Sequence, residues 1–82
     1  MMRRCAVFRV DVAYPGLGEL ERRIRAGGGE IRRPQYGARV QLEAVMPEDR
    51  APAFGQLVRG CDPTAPPPEP VGQAFLPRPP RL

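Results

Sequence analysis

Eight of the twelve prolines of this chain fall in its last twenty residues, 63–82, "PTAPPPEPVGQAFLPRPPRL". Proline fixes φ and has no backbone N–H to give to a helix or a sheet ladder. A stretch this dense in proline favours the extended polyproline II conformation over packed structure. The expected compact domain is therefore residues 4–62. Residues 63–82 form a proline-rich tail, largely disordered or adding a partial edge strand through "VGQAFL", residues 71–76. The chain has 82 residues, which allows one domain. A foldable part of about 60 residues buries only roughly 60% of its unfolded surface, so its apolar residues must be well placed.

They are well placed. "CAVFRVDVA", residues 5–13, alternates: Ala6, Phe8, Val10 and Val12 share one face, and Cys5, Val7, Arg9 and Asp11 the other. Period two with β-branched and aromatic residues predicts a half-buried strand, ended by "YPGLG". "GLGELERRIRAGGG" predicts a helix, with Leu17, Leu20 and Ile24 as its apolar stripe. Glu19 and Glu21 precede Arg22, Arg23 and Arg25, the order that suits the helix dipole. Gly27, Gly28 and Gly29 stop it. "EIRRPQY" and "ARVQLEAVM" predict two more strands, with Val40, Leu42, Ala44 and Met46 turned to the core. Pro34 places the first of them at a sheet edge. Gly37 is expected to supply the positive φ of the hairpin turn between them, of two or three residues. "PEDRAPAFGQLVRG" predicts a second helix beginning near Asp49, with Pro52 in its first turn and Ala51, Phe54 and Val58 on one face.

The order β-α-β-β-α, with a weak or displaced last strand, predicts an α+β fold. Both helices pack on one side of an antiparallel sheet. The expected closure is the ferredoxin-like split βαβ sandwich, followed by the proline-rich tail.

The chemistry open to such a chain is narrow. It contains no histidine, serine, lysine, asparagine or tryptophan. Ser-His and Cys-His nucleophilic pairs are therefore excluded, as are a P-loop lysine and a Schiff-base lysine. Two cysteines without histidine cannot complete a structural zinc site. "GGGE" precedes a strand, the wrong order for phosphate binding at a helix N-terminus. Glu48 and Asp49 form a carboxylate pair, which helix-start electrostatics explain. No catalytic residue, metal ligand or cofactor is expected, and the chain is not expected to be an enzyme. Arg9 and Asp11 break the first apolar run, so it is no signal-peptide core. No stretch approaches the roughly 18 apolar residues that span a membrane. A cytoplasmic location and free thiols at Cys5 and Cys61 are expected.

The net charge is +4, and all thirteen basic residues are arginine. Such a balance permits attraction to nucleic acid without demanding it. Arg32, Arg33 and Arg39 gather around Tyr36, and these four are the candidate contacts for nucleic acid or a partner. Phosphate contacts there would make binding salt-dependent. The other sheet face offers Val7, Arg9, Asp11, Arg39, Gln41, Glu43 and Val45: no aromatic platform for stacking bases, and mixed charges suited to cross-strand ion pairs.

The stretch "VAYPGLGELERRIRAGGGEIRRPQYGARVQLEAVMPEDRAPAFGQLVRG" resembles the C-terminal domain of bacterial YigZ/IMPACT-family proteins. The shared pattern is a tyrosine after the first strand, a short Leu-rich helix, a glycine-ended turn, the "QYG" hairpin, the alternating "VQLEAV" strand and a "PE" helix start. The resemblance covers residues 5–60. It implies a ferredoxin-like domain similar to the last domain of the ribosome's translocation GTPase, with suspected links to translation or nucleic-acid binding. The family's N-terminal domain has no counterpart in these residues, and the final strand is displaced behind "CDPTAPPPEP". The resulting expectation is a non-catalytic interaction module that pairs with another protein chain or with itself. A weak RNA- or ribosome-binding module and a small-molecule regulatory domain are the alternatives.

Overall fold

The computed structural model describes residues 2–77. Met1 and residues 78–82 lie outside them, and with these all but the first residue of the "PRPP" motif. The order is β1 (Met2–Val12), α1 (Tyr14–Ala26), β2 (Glu30–Tyr36), β3 (Val40–Pro47), a 3-10 turn (Glu48–Ala53), α2 (Phe54–Cys61) and β4 (Glu69–Pro77). The sheet order is β2-β3-β1-β4, with every neighbouring pair antiparallel. β3 therefore lies between β1 and β2, and β1 between β3 and β4. This is the split βαβ, ferredoxin-like arrangement expected from the element order.

The register explains the alternation in the sequence. Val10 faces Leu42 and Val12 faces Val40 across β1 and β3. These four join Leu20, Ile24, Ala44, Met46, Phe54 and Val58 in the main buried core. Phe8 packs at its margin, its ring centroid 4.9 Å from that of Phe54. The other sheet face carries a second, smaller cluster of Cys5, Val7, Val45 and Leu76. Both cysteines are free, Cys5 buried and Cys61 half-buried.

Four local expectations are corrected. First, α1 begins at Tyr14, two residues before the expected start at Gly16: Pro15 fits its first turn, and Gly16 lies against α2, where an added Cβ would sit 2.6 Å from the carbonyl oxygen of Cys61. Second, α2 begins at Phe54. Pro52 cannot donate an i→i−4 bond, so residues 48–53 wind as a 3-10 turn and the regular helix starts beyond them.

Third, the hairpin turn spans residues 37–39, and the Gly37 N–H donates to the Arg39 carbonyl at 3.1 Å. Gly37 does not supply a positive φ. Arg33 does, at 53°, where the β2–β3 register shifts between Arg32 and Gln35. Pro34 breaks the ladder there and the strand absorbs it as a bulge. β2 lies at the sheet edge, as its proline requires.

The fourth correction concerns the tail. β4 runs over nine residues and pairs with β1 from Met2↔Pro77 to Arg9↔Glu69, with one irregularity beside Val7 and Phe8. The fold thus continues past residue 62, and the strand is longer than the 71–76 segment. Proline is tolerated because β4 is an edge: its open side needs no donors. Leu76 anchors it in the second cluster.

Candidate functional site

Of the four residues singled out around the hairpin, the fold draws three arginines onto carboxylates. The Arg39 Nε donates to Asp11 Oδ1 at 2.6 Å, and its Nη2 to Asp62 Oδ2 at 3.1 Å. The Arg32 Nε donates to Glu30 Oε2 at 2.7 Å. Arg33 stands 4.0 Å from Glu43 and is 82% exposed. Tyr36 is 65% exposed at the end of β2 and is not packed on the sheet end. Arg39, Tyr36 and Asp11 share a shallow polar groove of about 440 Å³ with Gln35 and Gln41. Arg32 is not part of its lining. A phosphate entering this groove would meet a guanidinium already neutralised by two acids.

Asp62 is the residue that the sequence reading passed over. It is the single buried charged residue among those described. Its Oδ1 accepts from both the N–H (3.0 Å) and the hydroxyl (2.6 Å) of Thr64. Its Oδ2 accepts from the Ala13 N–H at 2.9 Å and from Arg39. One carboxylate thus ties the entry to α1, the exit of α2 and the hairpin together. The Thr64 hydroxyl and then the Ala13 N–H, with Arg39 nearby, lower its pKa from 3.8 to about 2. The signal was present in "DPT": an Asp two residues before a Thr is an Asx turn. Tyr14 adds a second tie, its hydroxyl donating to the Gly37 carbonyl at 2.6 Å.

Arg39 is therefore a structural residue and Arg33 is not. Arg39→Glu is expected to lower the melting temperature by several degrees, because it places an acid beside Asp11 and Asp62. Arg33→Glu should leave the melt within about 0.5 kcal/mol of the parent, as surface substitutions do. Thermal melts followed by circular dichroism separate them. Equal melts would show that the Arg39 contacts hold nothing in place.

The helices carry a cleft of about 460 Å³ over Met46, Leu57, Ala26 and Ala53, with Arg23 and Arg50 at its rim. Its size is that of a small-ligand pocket. Arg23 is engaged by Glu19, whose carboxylate accepts two hydrogen bonds from Arg22 and one from Arg23, and these lower its pKa to about 2. Burial raises the pKa of the nearby Cys61 thiol, the opposite of an activated nucleophile. Among the described residues no group of three or more Cys, Asp or Glu could hold a metal ion, and no helix is long and apolar enough to cross a membrane.

The two edges of the sheet are unlike. β2 presents Glu30, Arg32, Arg33, Pro34 and a bulge, the devices that discourage strand addition. β4 has its own prolines, Pro70 and Pro77, and its own irregularity, Val71 being the residue that the β1 register passes over, but from Val71 to Leu76 it carries no charge. Phe75 is 55% exposed, Val71 39% and Met2, on the adjoining β1, 56%. The register sets Phe75 opposite Arg4, on the helix side of the sheet.

A family model described as "Domain of unknown function (DUF1949)" matches residues 10–59. That span runs from the last three residues of β1 to Arg59, two residues before the end of α2, and leaves β4 outside it. No curated protein and no solved structure matches the chain.

Proposed function

The chain belongs to the DUF1949 family, the C-terminal domain of YigZ/IMPACT-family proteins, and from that premise we propose that it is a non-catalytic interaction module whose binding element is the open edge of β4. One observation carries this reading. From Val71 to Leu76, β4 offers an unpaired, uncharged backbone edge that bears the exposed side chains of Val71 and Phe75. An added strand gains main-chain hydrogen bonds along such an edge and specificity from alternate side chains. The partner is another protein chain. The residue inventory supports the same reading: without histidine, serine or lysine it offers no Ser-His or Cys-His pair and no Schiff-base lysine.

Amide chemical shifts of the ¹⁵N-labelled protein test this. An isolated N-terminal domain from a YigZ/IMPACT-family protein is the first partner to titrate. The amides of residues 71–76 and of β1 should shift first. Shifts confined to residues 32–39 would move the binding element to the hairpin and end the β4 reading. Turnover of a substrate by the purified chain would end the non-catalytic one.

A further inference from the structure

We propose that the strand completing the β4 edge is β4 of a second copy of this chain, paired antiparallel about a two-fold axis through Gln73. The inference rests on the β4 reading above and names its partner.

Three features of the strand point to self-pairing. The first is its bracket of prolines. Pro70 and Pro77 have no N–H, so the donors available to the open edge come from alternate residues of the six between them. The second is the match of that stretch to its own reverse. A two-fold axis perpendicular to the sheet at Gln73 sets Gln73 opposite itself and Phe75 opposite Val71, the residue left unpaired by β1, twice. Aromatic and β-branched residues are favourable cross-strand neighbours. These are also the two exposed apolar side chains of the strand. Moving the axis to Ala74 would set Phe75 against Gln73 instead and leave Val71 opposite Pro77.

The third feature is charge. With the axis at Gln73, Glu69 falls opposite Pro77 and Pro70 opposite Leu76, so no like charges meet. Glu69 keeps its own partner, Arg9, 3.9 Å away. The same operation on β2 would bring Arg32 and Arg33 of two copies together over a bulge, which is unfavourable. Residues that face one another keep the same sheet side, so the helices of both copies lie on one layer. The product is a closed, isologous dimer with one continuous eight-stranded sheet, and it leaves no further β4 edge for a third copy.

The test uses the full 82-residue chain. Light scattering should give a mass rising from 9.1 kDa toward twice that value over roughly 10 µM to 1 mM, the range of weak, small contacts, or a dimer throughout. Phe75→Glu should hold the mass at the monomer value while keeping the parent's circular dichroism spectrum and a cooperative melt, since the side chain is exposed in the single chain. Gln73→Cys in a Cys61→Ala background should form a disulfide-linked dimer under mild oxidation, because directly opposed residues have Cβ atoms about 4.5–5.5 Å apart. Glu21→Cys on α1, in the same background, should not.

A chain that stays monomeric at 1 mM overturns the proposal. So does a dimer that survives Phe75→Glu and fails to cross-link through position 73. A monomer whose β4 amides still respond to the added N-terminal domain overturns the second copy alone and leaves the β4 docking edge standing. No response to either removes both.

Discussion

Phe54→Ala is expected to remove a large share of this protein's stability, whereas Phe75→Ala should leave the melt of the monomeric chain nearly unchanged. Phe54 is 1% exposed, the largest fully buried side chain, and opens α2 directly over the core. Its removal takes away the contact with Phe8 and leaves a void between α2 and the sheet. Truncating a buried phenylalanine costs about 3–5 kcal/mol. At about 0.05–0.15 kcal/mol per residue, a domain this size has roughly 4–12 kcal/mol in total. The loss is thus of the same order as the whole stability. Phe75 is exposed, and substitutions there stay within about 0.5 kcal/mol. Urea titration of both variants reads the difference. Equal midpoints would mean that the apolar layer between α2 and the sheet is not what holds the chain folded.

The second large effect belongs to Asp62, and it depends on pH. Its pKa in the folded protein, about 2, lies below its ordinary 3.8. The unfolded chain therefore binds that proton more readily. By linkage, the stabilisation from Asp62 is complete above about pH 5, and is lost as the pH falls through about 4 to 2. Asp62→Asn should lower the melting temperature at pH 7 by roughly 10 °C. One amide oxygen can still accept from Thr64, but the charge facing Arg39 and the second acceptor for the Ala13 N–H are gone. The gap between variant and parent should narrow as the pH approaches 2, where the parent carboxyl is itself protonated. Glu19 is also held low, but through exposed bonds to Arg22 and Arg23 on its own helix, and Asp62→Asn leaves those intact. A gap that stays constant from pH 7 to pH 2 would show that the charge of Asp62 contributes nothing.

The residues that the two variants probe were not equally visible in the sequence. Phe54 was legible because helix periodicity places it with Val58 on one face, and that face is buried. Val10, Val12, Val40 and Leu42 were legible for the same reason at period two. Asp62 was not, because its importance comes from three segments far apart in the chain, residues 13, 39 and 62–64, that meet only after folding. The arginines around Tyr36 show the converse. Their spacing suggested a basic patch, but the carboxylates that neutralise them come from β1, from β3, from the residue after α2 and from β2 itself. One-dimensional clustering of charge does not reveal charges delivered by neighbouring strands.

Alternation, the helix stripe and the position of Pro34 determined the elements of this protein, their order and which faces are apolar, since these are properties of neighbours along the backbone. Gly29 marks the limit. Its role is set by the Val45 carbonyl and the Met46 sulfur, each closer than 2.7 Å to where a Cβ would stand. The placement of β4 was likewise a tertiary decision. Eight prolines argued against order in residues 63–82, but a strand at the edge of a sheet needs donors toward one side only. With β1 offering that side and Leu76 finding a buried place beside Cys5, Val7 and Val45, the proline-rich segment becomes the open edge of the sheet.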